Sequence, residues 1–234
     1  MSTPRPAGNT AGPVRVVDLS VLLDEDVVVY PGDPVLRTAP AATVAVEGYN
    51  VLHLHMGSQT GTHVDAPFHV RDDGLRIDEL PVDRFLAPLV VADVRGLAPR
   101  APVTAGHLAP VLDRLAPGVA LVLHTGWAGH RGTAEYFDHP HLTPAAVQAV
   151  LDRGVRTIGV DAPNPDPTRL DLPGPAVLPV HQLVAAVEGV IVENLTGVEL
   201  IDLEDPWLSV LPLRLAGADG APCRAVAFQL GARA

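Results

Sequence analysis

The sequence predicts a single α/β domain with a mixed, partly barrel-like sheet and a few flanking helices. Its length of 234 residues suits one domain. Short runs of Val, Ile and Leu with Gly, Pro or Asp at their borders recur along it, and only two segments carry a clear helical pattern. The first thirteen residues are mostly Pro, Gly, Ala and Thr, so we expect a flexible N-terminal tail over residues 1–13. Because there is no repeat and no domain-scale linker, we expect one domain over residues 14–234.

Composition excludes several classes of protein. Hydrophobic residues make up 47% of the chain and charged residues 18%, which indicates a packed globule rather than a disordered chain. The net charge of −11 argues against a nucleic-acid partner, since binding phosphates requires a basic face. No apolar run approaches the ~18 residues of a membrane span, and the first residues lack a secretory pattern. Cys223 is the one cysteine, so we expect an inert core thiol and a cytoplasmic location.

Segments rich in β-branched residues are predicted as strands. In chain order they are residues 14–19, 26–30, 42–48, 50–56, 89–94, 119–125, 156–160, 190–195 and 223–230. The sequence YPGDP, which begins at the end of the second segment, has the composition of a β-turn, and we assign Gly32 and Asp33 to that turn.

Two segments are predicted as helices. Residues 143–154 begin with Thr-Pro, a good N-cap followed by the residue favoured at the first helical position, and Gly154 marks the end. Residues 104–115 have the apolar spacing of a helix, although a glycine and a proline within them oppose it.

The stretch SQTGTHVDAPFHV, residues 58–70, concentrates side chains that bind metals or carry protons. Its Gly, Thr, Val and Pro residues oppose a helix, so we interpret it as extended. The odd-numbered residues then share one face, which collects Gln59, His63, Asp65 and His69, while the even-numbered residues up to position 68 face the core. Imidazole and carboxylate donors at this spacing are what a divalent metal requires. The alternative is a polar edge strand whose histidines bond to solvent and backbone.

A metal site needs more ligands than His63 and Asp65 supply, and the best second source is the stretch over residues 179–195. His181 stands at the head of a helix-like segment. Glu193 lies in an apolar strand, where a buried carboxylate must be paired or coordinated. The alternatives are an ordinary histidine at a helix N-terminus and a strand-end carboxylate in water.

Together these segments resemble the bacterial cyclase family, which includes bacterial kynurenine formamidase, isatin hydrolase and some aromatic polyketide cyclases. TGTHVDAPFH at 60–69 is similar to the signature H-x-G-T-H-x-D-x-P-x-H, with Gln59 in place of its first histidine. YPGDP, LVLHTGW and GVDAPNPDP resemble other family elements in the right order, and His181 and Glu193 keep the family's ligand spacing. The resemblance runs from roughly residue 15 to residue 200.

The resemblance implies a fold of the swivelling β/β/α type and a homodimer or higher homo-oligomer that acts on a small molecule. It implies a divalent metal, zinc or manganese, with one or two ions. His69 would be the catalytic acid/base, Tyr30 would contact the substrate, and Asp65 could bridge two ions. The positions carried over as metal ligands are Gln59, His63, Asp65, His181 and Glu193.

Gln59 is the departure from the family pattern. A carboxamide oxygen binds metals, but it is a harder and weaker donor than imidazole. The site would then hold one ion instead of two, prefer manganese or magnesium to zinc, or recruit His53 or His55 from the preceding strand. A surface or core role is the alternative for both histidines.

The function implied is hydrolysis of an amide or formamide C–N bond. The ion would activate water and polarise the carbonyl, and His69 would pass the water proton to the leaving group. The same apparatus can polarise a ketone, so a metal-dependent cyclase of a polyketide or other secondary-metabolite intermediate is the alternative. A non-catalytic binding homologue is the third hypothesis. His139 and His141, which precede a helix cap, are interpreted as loop residues.

Overall fold

A computed structural model describes residues 15–170 and 176–230, so the predicted tail lies outside the described residues. The strands are β1 Arg15–Asp18, β2 Arg37–Ala42, β3 Val51–His55, β4 His63–Asp65, β5 Leu86–Asp93, β6 Pro102–Val103, β7 Ala120–His124, β8 His141–Leu142, β9 Thr157–Val160, β10 Val190–Glu193, β11 Trp207–Ser209, β12 Gly220–Pro222 and β13 Val226–Gln229. The helices are α1 Val44–Glu47, α2 Ala105–Leu112, α3 Pro144–Leu151 and α4 Pro179–Ala186.

Nine strands form one mixed sheet in the order β1-β13-β11-β5-β7-β9-β10-β4-β12. The four central strands β5, β7, β9 and β10 run parallel. Parallel neighbours need crossover connections, and α2, α3 and α4 supply them in turn. Antiparallel strands flank this centre on both sides. The predicted mixed α/β sheet is therefore confirmed.

The sheet curls into a half-barrel. β12 lies at one edge and β13 lies one strand from the other edge, yet only residues 223–225 separate them in the chain. A link of this length spans at most about 14 Å, so the two edges must approach each other. Backbone hydrogen bonds close the gap, from Cys223 N to Thr62 O (3.0 Å) and from Leu19 N to Ala225 O (2.9 Å). The partly barrel-like form is confirmed.

A hydrophobic core lies on each face of the sheet. On β7, Leu121 and Leu123 pack toward α2, α3 and α4, whereas Ala120 and Val122 point into the curl. Both faces of this strand are buried, which explains why its sequence is a continuous apolar run rather than an alternation.

Both predicted helices are confirmed. At the start of α3 the Thr143 hydroxyl accepts a hydrogen bond from Ala146 N (3.2 Å), and Gly154, with φ of +84°, follows its end. α2 forms with Pro110 inside it because its Leu108 face is buried in the core against α3. No helix in the described part of the chain has the length and hydropathy to cross a membrane.

Most strand predictions are confirmed. The segments over 14–19, 50–56, 89–94, 119–125, 156–160, 190–195 and 223–230 contain β1, β3, β5, β7, β9, β10 and β13 respectively. The strand predicted over 26–30 is wrong: a turn from Asp24 to Val27 takes up its first two residues (Val27 N donates to Asp24 O, 3.1 Å), and residues 28–30 line a cavity instead of pairing with another strand.

The strand predicted over 42–48 is also wrong, because local capping outweighs β-branched propensity there. β2 ends at its first residue and the short helix α1 follows. The Glu47 carboxylate accepts a hydrogen bond from Thr43 N (2.7 Å), the Asn50 side chain accepts one from Val44 N (3.0 Å), and Gly48 ends the turn at φ of +83°.

β2, α1 and β3 form an arm, residues 37–55, with apolar side chains on its surface. All of β3 is exposed, and Val46 and Leu52 are 80% and 57% accessible. The arm's sheet has two strands only, and an isolated pair is marginally stable in water. Within the described chain, nothing covers this apolar surface.

Candidate functional site

His63 and Asp65 lie on β4, a three-residue strand between β10 and β12. Val64 between them points into the curl and is fully buried, so the side chains on either side of it project from the opposite face. Glu193 is the cross-strand partner of His63 on β10 and faces the same way. The predicted alternation holds on this strand.

His181 reaches the same place from the first turn of α4. The fully buried Asp166 holds it there. One oxygen of Asp166 accepts from Val180 N (2.9 Å), and the other accepts from His181 N (3.0 Å) and from His181 Nδ1 (2.7 Å). The His181 proton is thereby fixed on Nδ1, and its Nε2 points toward β4 and β10.

These four side chains form a compact, buried quartet. His63 Nε2 lies 3.3 Å from Asp65 Oδ1 and 3.4 Å from Glu193 Oε2. His181 Nε2 lies 3.5 Å from Asp65 Oδ2 and 3.2 Å from Glu193 Oε1. The Nε2 atom of each imidazole thus faces one oxygen of each carboxylate.

The quartet fits a divalent metal. Both carboxylate oxygens of Asp65 and one oxygen of Glu193 are buried with no hydrogen-bond partner, which is costly unless a cation coordinates them. His63 Nδ1 donates to Gly61 O (2.8 Å), so His63 and His181 both keep Nε2 as the free nitrogen. Two imidazole nitrogens and two carboxylates are a common donor set for zinc and suit manganese as well.

Electrostatics shows how strongly the site attracts positive charge. Burial alone lowers the pKa of His63, but the nearby Asp65 and Glu193 carboxylates outweigh it and raise that pKa to about 10. The pKa of His181 is raised well above its usual value against the same effect of burial, with Asp166 as the main cause. Burial alone raises the pKa of Asp65, yet the two imidazoles hold it well below its usual range. A divalent cation would satisfy the same carboxylates with both imidazoles neutral.

The chain leaves the extended conformation after Asp65. Pro67–His69 is a single 3₁₀ turn, which carries the His69 side chain away from the β4 alternation. Phe68, predicted to face the core, is instead half-buried, and the Arg76 guanidinium carbon lies 4.2 Å from its ring centroid. The bend after β4 places His69 beside the quartet, with its ring centroid 5.8 Å from that of His181.

Asp219 holds His69 in place. His69 Nδ1 lies 3.1 Å from Asp219 Oδ2, and Ser58 Oγ donates to the other oxygen of that carboxylate (2.7 Å). Burial lowers the pKa of His69, but the Asp219 carboxylate raises it above its usual value overall. The same contact holds the pKa of Asp219 well below its usual range.

Gln59 belongs to this Asp219 network. Its Nε2 donates to Asp219 Oδ2 (2.7 Å) and lies 3.2 Å from His69 Nδ1. Its Oε1 is buried and has no hydrogen-bond partner. The carboxamide therefore commits its nitrogen to positioning His69 and keeps an oxygen free for a ligand.

His63, His181 and Glu193 of the quartet line a cavity of about 450 Å³ together with His69. Tyr30 lines it, and its ring packs edge-on against Phe137 with centroids 5.8 Å apart. YPGDP is a turn closed by Asp33 N donating to Tyr30 O (3.0 Å), with Gly32 at φ of +104°. Asp33 also lines the cavity, which its assignment to a turn did not anticipate.

A buried polar chain supports the cavity wall. His139 is almost fully buried; its Nε2 lies 2.9 Å from Thr168 Oγ1, and Asn164 Nδ2 donates to the same hydroxyl (2.9 Å). Burial lowers the pKa of His139 to about 4. The interpretation of His139 as an ordinary loop residue misses this role, and His141 belongs to β8 rather than a loop.

Asp166 and Asp219 are the functional residues that sequence reasoning missed. Asp166 is the penultimate residue of the quoted GVDAPNPDP segment, so a role for it could have been predicted. Asp219 sits in a glycine-rich turn without any motif. His53 and His55 are exposed on the arm, consistent with a surface role. Burial raises the pKa of the Cys223 thiol to about 12, which agrees with an inert cysteine.

Known proteins resemble this chain in sequence. The family model described as Putative cyclase matches residues 17–167. A kynurenine formamidase from Salinibacter ruber is 33% identical over 219 residues, which is 91% of this chain and 97% of that protein. A kynurenine formamidase from Bacillus cereus is 34% identical over 216 residues, which is 90% of this chain and 95% of that protein.

Solved structures resemble it in fold. Isatin hydrolase A from Labrenzia aggregata, bound to benzyl benzoate, superposes with a TM-score of 0.81 at 26% identity, covering 93% of this chain and 94% of that one. Isatin hydrolase A from Ralstonia solanacearum has the same TM-score at 22% identity, covering 92% of each chain.

Proposed function

The chain belongs to the cyclase family, and from that membership we propose that it is a metal-dependent hydrolase that cleaves an amide or formamide C–N bond. The observation that carries the proposal is the buried quartet at the cavity wall, whose unpartnered carboxylate oxygens fit a divalent ion. The names of the similar proteins, formamidase and hydrolase, favour hydrolysis over the cyclase alternative.

In this proposal His63, Asp65, His181 and Glu193 hold zinc or manganese. When bound, the ion supplies Lewis-acid chemistry, since it polarises a carbonyl oxygen and makes water more acidic. One ion accounts for the quartet. A second ion, bridged by Asp65, would need the free Oε1 of Gln59 as a ligand.

His69 is the proposed acid/base. Its Nδ1 donates to Asp219, so Nε2 is the nitrogen that accepts a proton from the attacking water. The same Nε2 returns that proton to the amine nitrogen as the C–N bond breaks, which yields a carboxylic acid and an amine. Asp219 orients the ring and stabilises the imidazolium between the two transfers.

Aromatic side chains form the proposed substrate-binding wall of the cavity. Tyr30, Tyr136 and Phe137 form one aromatic wall, with the last two rings 5.6 Å apart. Burial raises the pKa of Tyr30, so its phenol stays protonated and able to donate at neutral pH. This wall suits an aryl group attached to the scissile amide.

Hydrolysis of formanilide by metal-loaded protein tests the proposal. We expect turnover, and a loss of at least about a hundredfold in His69→Ala with the metal content unchanged. His130→Ala is the control, because His130 is partly exposed, stacks on Trp127 and is not among the residues that line the cavity. If His69→Ala strips the metal, His69 is a ligand. If formamides, amides and lactones all resist fully loaded protein, hydrolysis is refuted and polyketone cyclisation becomes the leading hypothesis.

Elemental analysis after purification without added metal tests the cofactor. We expect bound zinc or manganese, retained in His130→Ala and largely lost in His63→Ala. Less than roughly a tenth of an equivalent, with no binding on titration, would contradict the metal proposal.

We also propose that the protein is a homodimer whose partner subunit covers the arm. The support is the exposed apolar surface of residues 37–55, which a second copy would bury. Sedimentation should show a dimer, and Leu52→Asp should shift it toward monomer, whereas Val82→Asp, another exposed apolar position, should not. A wild-type monomer at micromolar concentration would contradict this.

The remaining expectations stay proposals. The lone, half-buried Cys223 suits a reducing compartment, so we propose a cytoplasmic location, which fractionation of cells would test. The acidic composition suits a small-molecule substrate and gives no basic face for nucleic acid.

A further inference from the structure

A second cavity, of about 350 Å³, lies at the opposite end of the sheet from the quartet. Its lining includes Val119, which precedes β7, and Thr157, the first residue of β9, so it opens at the amino ends of the parallel strands. Glu193 of the quartet, in contrast, is the last residue of β10. Val190 is the cross-strand partner of Thr157, and the three steps along β10 from Val190 to Glu193 correspond to about 10 Å.

Arg84 and Arg156 line this second cavity from two segments that are bonded to each other. Arg84 lies in the 3₁₀ turn before β5, and Arg156 directly precedes β9. The hydroxyl of Thr157, the next residue after Arg156, donates to Arg84 O (2.8 Å). This hydrogen bond keeps the two arginine-bearing segments side by side, so both positive charges belong to one cavity.

Backbone carbonyls hold both guanidinium groups but leave most of their donors free. Arg84 Nη1 donates to Glu188 O (2.9 Å), and Arg156 Nη1 donates to Val155 O (3.0 Å) and Leu151 O (3.4 Å). Within the described chain, Nε and Nη2 of both arginines donate to no group, although both residues are half-buried. An anion with several oxygens would satisfy these donors and balance the partly desolvated charges.

The balance of charge in this cavity is positive. Asp83 is the one acid among the described residues that line it. Asp83 is exposed, and in the described part of the chain it pairs with neither Arg84 nor Arg156. Arg95 and Arg224, by contrast, each donate two hydrogen bonds to an aspartate. The cavity therefore keeps uncompensated positive charge in a protein whose net charge is −11.

The other wall of the second cavity is apolar and is shaped by two turns. Ala87, Pro117 and Val119 contribute apolar side chains to it. Gly118 and Gly154 both have φ of +84°, and a Cβ at Gly154 would lie 2.6 Å from Pro117 Cγ, so the two turns pack directly on each other. The volume lies within the range of small-molecule sites, about 300–1,000 Å³, and leaves room for more than a bare inorganic ion.

We propose that this cavity binds a small organic anion. Arg84 and Arg156 hold its carboxylate or phosphate group, and its apolar part packs against Pro117 and Val119. The planar guanidinium fork matches the paired oxygens of either group. The site is separate from the metal quartet and does not depend on the proposed hydrolase activity.

Methyl NMR of the metal-loaded protein tests the proposal, because it reports where a probe binds. Val119 lines the second cavity, and Val28 lines the cavity beside the quartet. The probes are benzoate, phenyl phosphate and the neutral benzyl alcohol. We expect benzoate or phenyl phosphate to shift the Val119 signals to saturation, and benzyl alcohol to bind there at least tenfold more weakly. The anion with the higher affinity identifies the group that the site prefers.

Two arginine variants test which side chains hold the anion. Arg84→Gln and Arg156→Gln should each lower the affinity read at Val119 at least fivefold. Arg214→Gln is the matched control, because Arg214 is exposed and does not line the cavity, and it should stay within twofold of wild type. Should a variant fail to fold, the comparison of the anions with benzyl alcohol in the wild type still decides.

Several results would overturn the proposal. One is a shift of the Val28 signals alone, which would assign the anions to the metal site. Others are no shift of Val119 up to about 10 mM of either anion, equal affinity for benzyl alcohol, or unchanged affinity in either folded arginine variant. Binding at Val119 is read without turnover, so its outcome is independent of the formanilide test.

Discussion

Replacing Asp166 by Asn should weaken the metal site without removing any ligand. The carboxylate accepts three hydrogen bonds, from Val180 N, His181 N and His181 Nδ1, and it is fully buried. Asn keeps the shape, but its amide nitrogen is a donor and must face at least one of those donors. Even with its oxygen toward His181 and its NH2 toward Val180 N, Asn offers His181 Nδ1 only a neutral and weaker acceptor. The tautomer with hydrogen on Nε2, which cannot ligate, therefore gains population.

Two magnitudes follow from this geometry. Loss of an orienting partner of this kind costs about 10- to 100-fold in metal affinity, or about 1.4–2.7 kcal/mol. Loss of a charge-assisted hydrogen bond, with one buried donor left unsatisfied, should also lower the free energy of unfolding by about 3 kcal/mol. Both effects have one cause, since Asp166 caps α4 and orients its histidine.

Chelator competition gives the affinity and urea denaturation gives the stability. Asp152→Asn is the matched control, because that aspartate also sits at a helix end but is exposed. We expect the control to stay within about 0.5 kcal/mol of wild type. Metal affinity of Asp166→Asn within twofold of wild type would refute the claim that Asp166 determines which nitrogen of His181 is free.

Further predictions concern other parts of the site. Asp219→Asn should lower kcat about 10- to 100-fold with KM and metal content little changed, because it orients His69 but binds no ion; a loss of metal in elemental analysis would contradict this. Gln59→His should raise zinc affinity or stoichiometry in a titration, and unchanged values would mean that position 59 does not reach the ion. His139 is neutral in the fold, with its pKa lowered to about 4, so its contribution is complete above the ordinary value of about 6.5 and is lost as pH falls toward 4. Between pH 7.5 and 4.5 the free energy of unfolding, measured by urea titration, should therefore fall by about 2–3 kcal/mol more in the wild type than in His139→Gln. An equal fall in both proteins would contradict a buried neutral histidine. Val64→Ala, fully buried behind the quartet, should cost about 2–3 kcal/mol in the same assay, and a change below about 0.5 kcal/mol would contradict its packing.

Local periodicity in the sequence was enough to predict much of the proposed metal site. Side chains alternate between the two faces of any strand. The shared face of the His63 and Asp65 side chains, with Val64 on the other face, could therefore be predicted from these three residues. The same holds for α3, whose cap, first-turn proline and terminal glycine act within their own helix. Each of these signals depends on neighbours a few residues away.

Elsewhere, capping interactions and tertiary contacts outweighed the β-strand propensity of the sequence. Residues 42–48 have β-branched content, yet a cap from Glu47 and a turn at Gly48 make them a helix. Residues 26–30 have the composition of a strand, but the first two belong to a turn and residues 28–30 line the cavity unpaired. Propensity differences are small, and contacts with the rest of the fold outweigh them.

Tertiary structure alone decided which groups hold His69 and His181 in place. Asp219 lies 150 positions from His69 in the chain, and the two meet because β12 pairs with β4. Asp166 reaches His181 because the loop after β9 passes over the start of α4. A turn aspartate has the same local sequence whether it faces water or a histidine. The sequence by itself therefore determined the chemistry of the ligands and their shared face, while the path of the chain in space determined which carboxylates orient them.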